Sequence, residues 1–383
     1  MNDERWRWTP EFLESMRQVA DPVTDPLIAE TLAMGGEKAL HELNRYLQSW
    51  KAPKPENLAP GVRAFLDAPV VYPPWLDEHK LDVARKWFDE HGLLAILALF
   101  MKGLPQYFAS ANADKVFTLA DLFRKATIWR FAIEIAQLIF DVFRPGGLDV
   151  HPVPPPGVRQ VKGDAVIALQ KLRIHHSYLR HKVLQKAAME GGWSSQWGEP
   201  INQEDLALAV VAFALWILDG VRKLGCTIDD DLEAAGLEVW NVMGFLLGLD
   251  DRLRAATPAA GRELIRLVGE RQFRSSQDGT DLVEKLLATA EGFLPRWLSG
   301  VPQVLLNYLM DPFFLDLLKV QRPYGLSWIV IRLLGLFAGE VKAFGRTTEL
   351  VAGRILRGLQ TARGRDGDRT SFRVSQRQVE KYG

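Results

Sequence analysis

Apolar residues recur every three or four positions along most of the chain, and the strict alternation typical of half-buried strands is nearly absent. Gly and Pro cluster between these stretches, at Pro145–Gly147 and Pro152–Gly157 for example, and mark breaks. The pattern therefore predicts an all-α protein. The predicted helices cover 26–49, 80–102, 111–122, 124–143, 160–190, 203–225, 228–249, 280–298, 300–319 and 324–360.

These segments predict one folding unit. The chain shows no internal repeat of the length typical of solenoids and no long polar linker. We expect a single all-α domain over residues 1–362 and a basic tail over residues 363–383. From Lys342 onward there are ten Lys and Arg residues against four Asp and Glu residues. A solvated tail is the simpler interpretation, and contact with an acidic partner is the alternative.

The overall charge excludes some partners. The 47 Lys and Arg residues balance the 47 Asp and Glu residues, so no global field attracts nucleic acid, and we expect no such partner. A single cysteine, Cys226, leaves no disulfide and no cysteine-based metal cluster within one chain.

Membrane insertion is not expected either. The longest apolar run, Leu206–Leu218, has thirteen residues, whereas a bilayer span needs about 20. The apolar stretch Leu326–Val341 is interrupted by Arg332 and Glu340. The first residues lack the apolar core of an export signal, so we expect a cytoplasmic location. The oligomeric state is left open.

Common catalytic signatures are missing. The chain has no P-loop, no H-E-x-x-H and no G-x-S-x-G motif. A di-iron helix bundle needs E-x-x-H pairs, and no histidine has a Glu three residues before it. The nearest case, Glu37 and His41, has a spacing of four. Hydrolase, dehydrogenase and di-iron chemistry are therefore poorly supported.

Three of the seven histidines, His175, His176 and His181, crowd one predicted helix. Helical spacing places Arg173, His176 and Arg180 on one face. The arginines should lower the pKa of His176 and keep its imidazole neutral, the form that binds iron. They could also pair with haem propionates. By spacing alone, a structural histidine flanked by ion-paired arginines remains the simpler alternative.

Two blocks of sequence carry a resemblance to a known family. One is the histidine helix, Lys171-Leu-Arg-Ile-His-His-Ser-Tyr-Leu-Arg-His181, and the other is Trp197-Gly-Glu-Pro-Ile-Asn-Gln-Glu-Asp-Leu206. Together they resemble the latex-clearing-protein family, the haem b rubber oxygenases, and a wider superfamily that includes the ER-bound oxygenase of mycophenolic acid synthesis. Weaker similarity extends over most of residues 20–320.

The resemblance implies a globin-like helical core with additional helices around haem b. It implies that His176 ligates the iron, with neighbouring His175 as the alternative, and that Arg173 and Arg180 flank the cofactor. The helix after the second block would line the haem pocket, with Ala209 and Phe213 against the cofactor. Ala209 stands where the family usually has a threonine.

The chain departs from the family pattern on the distal side. Where the family has Arg-x-x-Lys-Thr, this chain has Arg130, then Ile133 and Glu134. Ile133 cannot ligate iron as a lysine could. Glu134 could donate a proton, act as a general base or bind the iron, and the simpler alternative is an ion pair with Arg130. We expect Arg130 and Glu134 to form the catalytic pair.

We therefore expect a haem b-dependent oxygenase. It would use O₂ on an apolar, unsaturated substrate such as an isoprenoid or lipid, with oxidative cleavage of a carbon–carbon double bond as the reaction that the resemblance implies. Two alternatives stay open: a haem enzyme that uses peroxide, and a haem-binding sensor or carrier without catalysis.

Overall fold

A computed structural model of the chain describes residues 8–48, 53–120, 122, 128–153, 158–292, 296 and 300–322, with the backbone alone for residues 128–131. Within these residues the fold is built mainly of helices, which confirms the all-α prediction. The α-helices are α1 (Pro10–Arg17), α2 (Asp25–Leu47), α3 (Pro60–Asp67), α4 (Glu78–Ala98), α5 (Leu104–Tyr107), α6 (Asp114–Leu119), α7 (Ile128–Phe143), α8 (Asp164–Glu190), α9 (Gln203–Lys223), α10 (Asp230–Leu246), α11 (Pro258–Gln272), α12 (Gln277–Gly292), α13 (Val301–Leu309) and α14 (Pro312–Leu317).

Several predicted boundaries were wrong for identifiable reasons. The predicted helix 300–319 is divided into α13 and α14, because Pro312 cannot continue a helix and begins the next one. Helix α2 is interrupted at Gly35 and Gly36, where Gly36 has a φ of 61°. Helices α1, α3, α5 and α11 were not predicted. The predicted helix 324–360 and the tail 363–383 lie outside the described residues.

A small antiparallel sheet is a second correction. Strands β1 (Val70–Val71), β2 (Asp149–Val153) and β3 (Val158–Lys162) pair in the order β1–β3–β2. Helix α8 was predicted to begin at residue 160, but residues 158–162 belong to β3. The β2–β3 hairpin connects the end of α7 to the start of α8, and these two helices pack against each other.

Helix α9 lies at the centre of the core. The Asn202 side chain accepts a hydrogen bond from the Asp205 amide at 2.9 Å and caps its first turn. Arg222 and Lys223 follow in the last turn, where positive charge favours the helix dipole. Helices α1, α4, α10 and α11 pack around α9 and bury most of its surface.

A second, smaller apolar cluster is separate from the main core and lies where α2 and α3 pack against α8. It joins α2 and α3 to Ile174, which is fully buried. Helix α8 therefore sits between this cluster on one side and α6, α7 and α10 on the other. His176 follows Ile174 by two residues, so it lies well inside the molecule.

No helix of the described residues has the length and apolar character required to cross a bilayer. The single-domain organisation and the cytoplasmic location stay predictions.

Candidate functional site

His176 occupies the middle of α8. Its ring lies deep in the molecule yet keeps a partly accessible surface, as expected of a side chain that faces an internal space. Within the described chain, neither ring nitrogen has a hydrogen-bond partner. Burial lowers the pKa of His176 to about 3, with the charges of His175 and Arg180 as smaller causes. The imidazole is therefore neutral and available as a ligand.

The two flanking arginines are already paired within the protein. Arg173 donates to both carboxylate oxygens of Asp21, at 2.6 and 2.9 Å. Arg180 donates to the carbonyls of Pro200 and Ile201, at 2.8 and 2.9 Å, and forms an ion pair with Asp25. The predicted lowering of the His176 pKa is thus caused mainly by burial, and Arg173, neutralised by Asp21, is not among its causes.

These contacts change the interpretation of Arg180. All three guanidinium nitrogens of this residue bond to the chain itself, since Ser177 also accepts from it at 3.3 Å. The geometry therefore favours a structural role, in which Arg180 fixes α8 against the turn that begins α9. Pairing of Arg180 with a haem propionate is not supported by this arrangement.

The Trp197–Leu206 block is a buried polar network. Glu204 and Asp205 are almost inaccessible and accept from Arg17, at 2.8 and 3.0 Å. The Arg17 guanidinium also donates to the Trp197 carbonyl at 2.6 Å. Burial raises the pKa of Glu204 and of Asp205, although Arg17 opposes the shift. The block thus holds α1 against the start of α9 and carries no exposed chemistry of its own.

One face of α9 is open, at the two positions predicted to line the pocket. Over residues 202–218 every residue is buried except Ala209 and Phe213, which are partly accessible and lie one helical turn apart. The Phe213 ring lies 5.3 Å from that of Tyr107 and 5.7 Å from that of Trp240. A shared accessible face on an otherwise buried helix indicates an internal apolar space beside α9.

Glu134 and His176 lie on α7 and α8, two helices that pack against each other. Arg144, just after α7, forms an ion pair with Asp164, the first residue of α8. Glu134 lies ten residues before Arg144 and His176 lies twelve residues after Asp164. At about 1.5 Å per residue, these offsets correspond to about 15 and 18 Å of helix from the Arg144–Asp164 ion pair, so the two residues stand at similar distances from it along their helices.

The structure describes the other residues predicted near the site to different extents. Glu134 is half-buried, and Ile133 beside it is 5% exposed. The Arg130 side chain lies outside the described residues, so the predicted Arg130–Glu134 pair stays a prediction. Asn307 of α13 donates to the carbonyl of Gln303 at 2.9 Å.

The residues present fit haem better than a bare metal ion. Among the described residues, no three His, Cys, Asp or Glu side chains converge as a metal-binding group. A bare ion needs several protein donors, whereas haem iron needs only one or two axial ligands from the protein. A lone neutral imidazole and an apolar helix face supply one axial ligand and a surface for the macrocycle.

Sequence reasoning missed Asp21. This residue pairs with Arg173 and lies close enough to His176 to affect its pKa. Burial alone would raise the pKa of Asp21, but the hydrogen bond and charge of Arg173 outweigh burial and lower it. The segment Asp21-Pro-Val-Thr-Asp-Pro26 offered a signal, because two Asp-Pro steps and a threonine are typical of a capped turn.

A π-helical turn at Leu99–Gly103 was also missed, since the pattern predicted an ordinary helix over 80–102. Such turns occur frequently at functional sites. A Cβ atom added at Gly103 would lie 3.4 Å from Phe213, so the turn is in contact with the accessible face of α9. Within this turn the buried Lys102 pairs with Asp311 at 2.9 Å.

Comparison with known proteins identifies a family that matches most of the chain. Residues 92–340 match the family described as the ER-bound oxygenase mpaB/B'/Rubber oxygenase catalytic domain. The chain belongs to this oxygenase family. The matched range includes Glu134, His176 and the accessible face of α9.

Two individual proteins are similar as well. The rubber oxygenase of Streptomyces sp. (strain K30) is 23% identical over 319 residues, which cover 77% of this chain and 72% of that protein. The structure of latex clearing protein in its closed state shares the fold, with a TM-score of 0.66 and 19% identity over 93% of this chain and 95% of that one. The membership of the family and the helical fold predicted from the two sequence blocks are thereby confirmed.

Proposed function

We propose that this oxygenase depends on haem b, with His176 as the proximal ligand of the iron. The observation that carries the proposal is the neutral imidazole of His176, which lies deep in the molecule, keeps a partly accessible surface and has no hydrogen-bond partner in the described chain. Ala209 and Phe213 would pack against the macrocycle. Bound haem would supply the means of activating O₂.

The substrate proposed is an apolar, unsaturated molecule such as an isoprenoid or lipid. The apolar character of the Phe213 surroundings and the name of the Streptomyces relative, a rubber oxygenase, both support this class. The reaction proposed is cleavage of a carbon–carbon double bond into two carbonyl groups. Both atoms of O₂ end in the products, so the overall reaction consumes no external reductant.

Glu134 distinguishes this chain from the family pattern, and we propose that it holds or moves a proton on the distal side. A carboxyl group can do so, whereas the Ile133 beside it cannot. Arg130 would form the distal site together with Glu134. The roles of His175 and Arg173 are secondary: one is adjacent to the ligand, and the other is fixed by Asp21.

Absorption spectroscopy tests the proposed cofactor. The purified protein, as isolated or after titration with haem, should show a Soret band at roughly 400 nm. His176→Ala should abolish the band, and His175→Ala should keep it. Haem should also raise the melting temperature of the wild type and of His175→Ala, but not of His176→Ala, because only a bound ligand stabilises the folded state. A protein that stays colourless after titration would falsify the haem proposal.

Substrate oxidation tests the reaction class. With a polyene substrate we expect O₂ uptake and carbonyl products, and Glu134→Gln should change the pH profile of the rate. Consumption of peroxide without O₂ uptake would favour the peroxide-using alternative. A haem-loaded protein that consumes neither would favour a sensor or carrier.

A further inference from the structure

An apolar cavity of about 30 Å³ lies between α4, α7, α9 and α10, apart from the candidate ligand on α8. No lining residue is charged, and the indole N–H groups of Trp87 and Trp240 are the only polar side-chain groups in the lining. The apolar character of the cavity comes from residues such as Phe88, Ile96, Ile139, Ala214 and Ile217. None of these residues was assigned a role above except Trp240, which contacts Phe213.

The size of the cavity limits its occupant. A single water needs about 10 to 15 Å³ of such space and two to four polar partners. The cavity has room for about two water-sized molecules, but its lining side chains offer water no hydrogen-bond acceptor and at most two indole donors, so burying water there is unfavourable. A diatomic gas fits, whereas an isoprenoid chain is too large. Apolar cavities of this kind stay dry and take up small apolar molecules such as xenon.

The position of the cavity favours O₂. Trp240 forms part of its wall, and the Trp240 ring lies 5.7 Å from Phe213, which is on the accessible face of α9. The Phe213–Trp240 contact therefore places the cavity next to the accessible face of α9. We propose that this cavity is a binding site that holds O₂ next to the candidate cofactor pocket. The choice of O₂ over another apolar gas rests on the proposed oxygenase function.

Dissolved O₂ is paramagnetic and reports its own location. We would label the isoleucine δ-methyl groups of the full-length protein and compare their NMR relaxation under O₂ and under N₂ at equal pressure. Ile96, Ile139 and Ile217 line the cavity. Ile28 is 3% exposed but belongs to the second apolar cluster, and Ile167 is 48% exposed, so it reports O₂ in bulk solvent.

We expect the O₂-induced relaxation of Ile96, Ile139 and Ile217 to be severalfold larger than that of Ile28. Ala214→Leu places a larger side chain of α9 in the cavity. It should reduce the O₂-induced relaxation of Ile96 and Ile139 to the level of Ile28. The same change at Ala234, a half-buried residue of α10 outside the cavity lining, should leave it unchanged.

Equal relaxation at Ile28 and at the three lining residues in the wild type would overturn the proposal, and this comparison does not require any variant to fold. An Ala214→Leu protein that folds and keeps the full O₂-induced relaxation at Ile96 and Ile139 would also overturn the proposal. The absence of a Soret band would refute the proposed haem dependence instead, and the relaxation measurement would still be readable.

Discussion

At the scale of single residues, Asp114 shows how burial raises the pKa of a carboxyl group. This carboxyl group begins α6 and is fully buried. One oxygen accepts from Ser276, and the other has no hydrogen-bond partner among the described residues. Burial, with a smaller contribution from the charge of Asp278, raises the pKa of Asp114 to about 7. The folded protein therefore keeps a proton there that the unfolded chain releases.

This raised pKa predicts a pH-dependent gain for Asp114→Asn. Asn keeps an acceptor for Ser276 and cannot ionise. The folded carboxyl binds more protons than the unfolded one, so the wild type loses stability as pH rises from about 4 to about 7. We expect Asp114→Asn to be more stable by on the order of 3 kcal/mol at pH 8, with the difference shrinking towards pH 4. Urea denaturation at several pH values measures this difference in the free energy of unfolding.

Asp164 provides the matched control, because it is also the first residue of a helix but its side chain is 67% exposed. Asp164→Asn should show no comparable gain at pH 8. A gain in Asp114→Asn that is independent of pH would contradict the explanation by proton uptake.

At the scale of helices, the crossing of α4 and α9 depends on one glycine. A Cβ atom added at Gly220 would lie 2.8 Å from the Cβ of Ala98, closer than real contacts allow. These two helices carry the π-helical turn and the Ala209–Phe213 face, so their separation also sets the width of the candidate pocket.

We expect Gly220→Ala to lower the free energy of unfolding. Overpacking costs about 1 to 3 kcal/mol, whereas the better helix propensity of Ala returns up to about 1 kcal/mol. Adding Ala98→Gly should recover most of the loss, because it removes the opposing methyl group. Gly292→Ala in α12 is the control, since nothing lies within 4 Å of its added Cβ. Chemical denaturation of the wild type, the two single variants and the double variant measures these free energies of unfolding. A Gly220→Ala protein as stable as the wild type would contradict the close approach of the two helices.

The helices also show what the sequence can and cannot predict. Helices such as α9 and α10 begin at capping residues, Asn202 and Asp229, and keep a long apolar period, so local sequence determines them. The π-helical turn and the short sheet were not predictable in this way. The sheet strands are five residues or shorter, and β1 pairs with β3, which lies about 90 residues further along the chain.

For the site, local sequence and family resemblance predicted His176 and the α9 face, because both lie within single helices. The partners that fix them come from distant segments. Asp21 and Arg173 are separated by 152 residues, and Arg17 and Glu204 by 187. No periodicity within one helix encodes such a pair, so the acidic partners of Arg173 and Arg17 emerged only from the fold.

At the scale of the whole molecule, the Arg17 network connects three parts of the chain. Arg17 in α1 is 1% exposed and reaches Glu204 and Asp205 in α9. Arg271 of α11 donates to the other oxygen of Glu204 at 3.0 Å. The buried charges thus hold the first helix and α11 on the helix that carries Ala209 and Phe213. The stability of the pocket wall is therefore coupled to the start of the chain.

Arg17→Met should destabilise the whole fold, because it leaves two buried carboxylates without their main cation, a change that typically costs about 3 to 5 kcal/mol. Their pKa values are already raised, so the folded protein gains protons relative to the unfolded chain as pH falls. The loss in Arg17→Met should accordingly be larger at pH 8 than at pH 5.5. Adding Glu204→Gln and Asp205→Asn, which removes both charges while keeping the side-chain shapes, should restore most of the stability. Urea denaturation at the two pH values measures these stabilities. A triple variant (Arg17→Met, Glu204→Gln and Asp205→Asn) less stable than Arg17→Met alone would contradict this account.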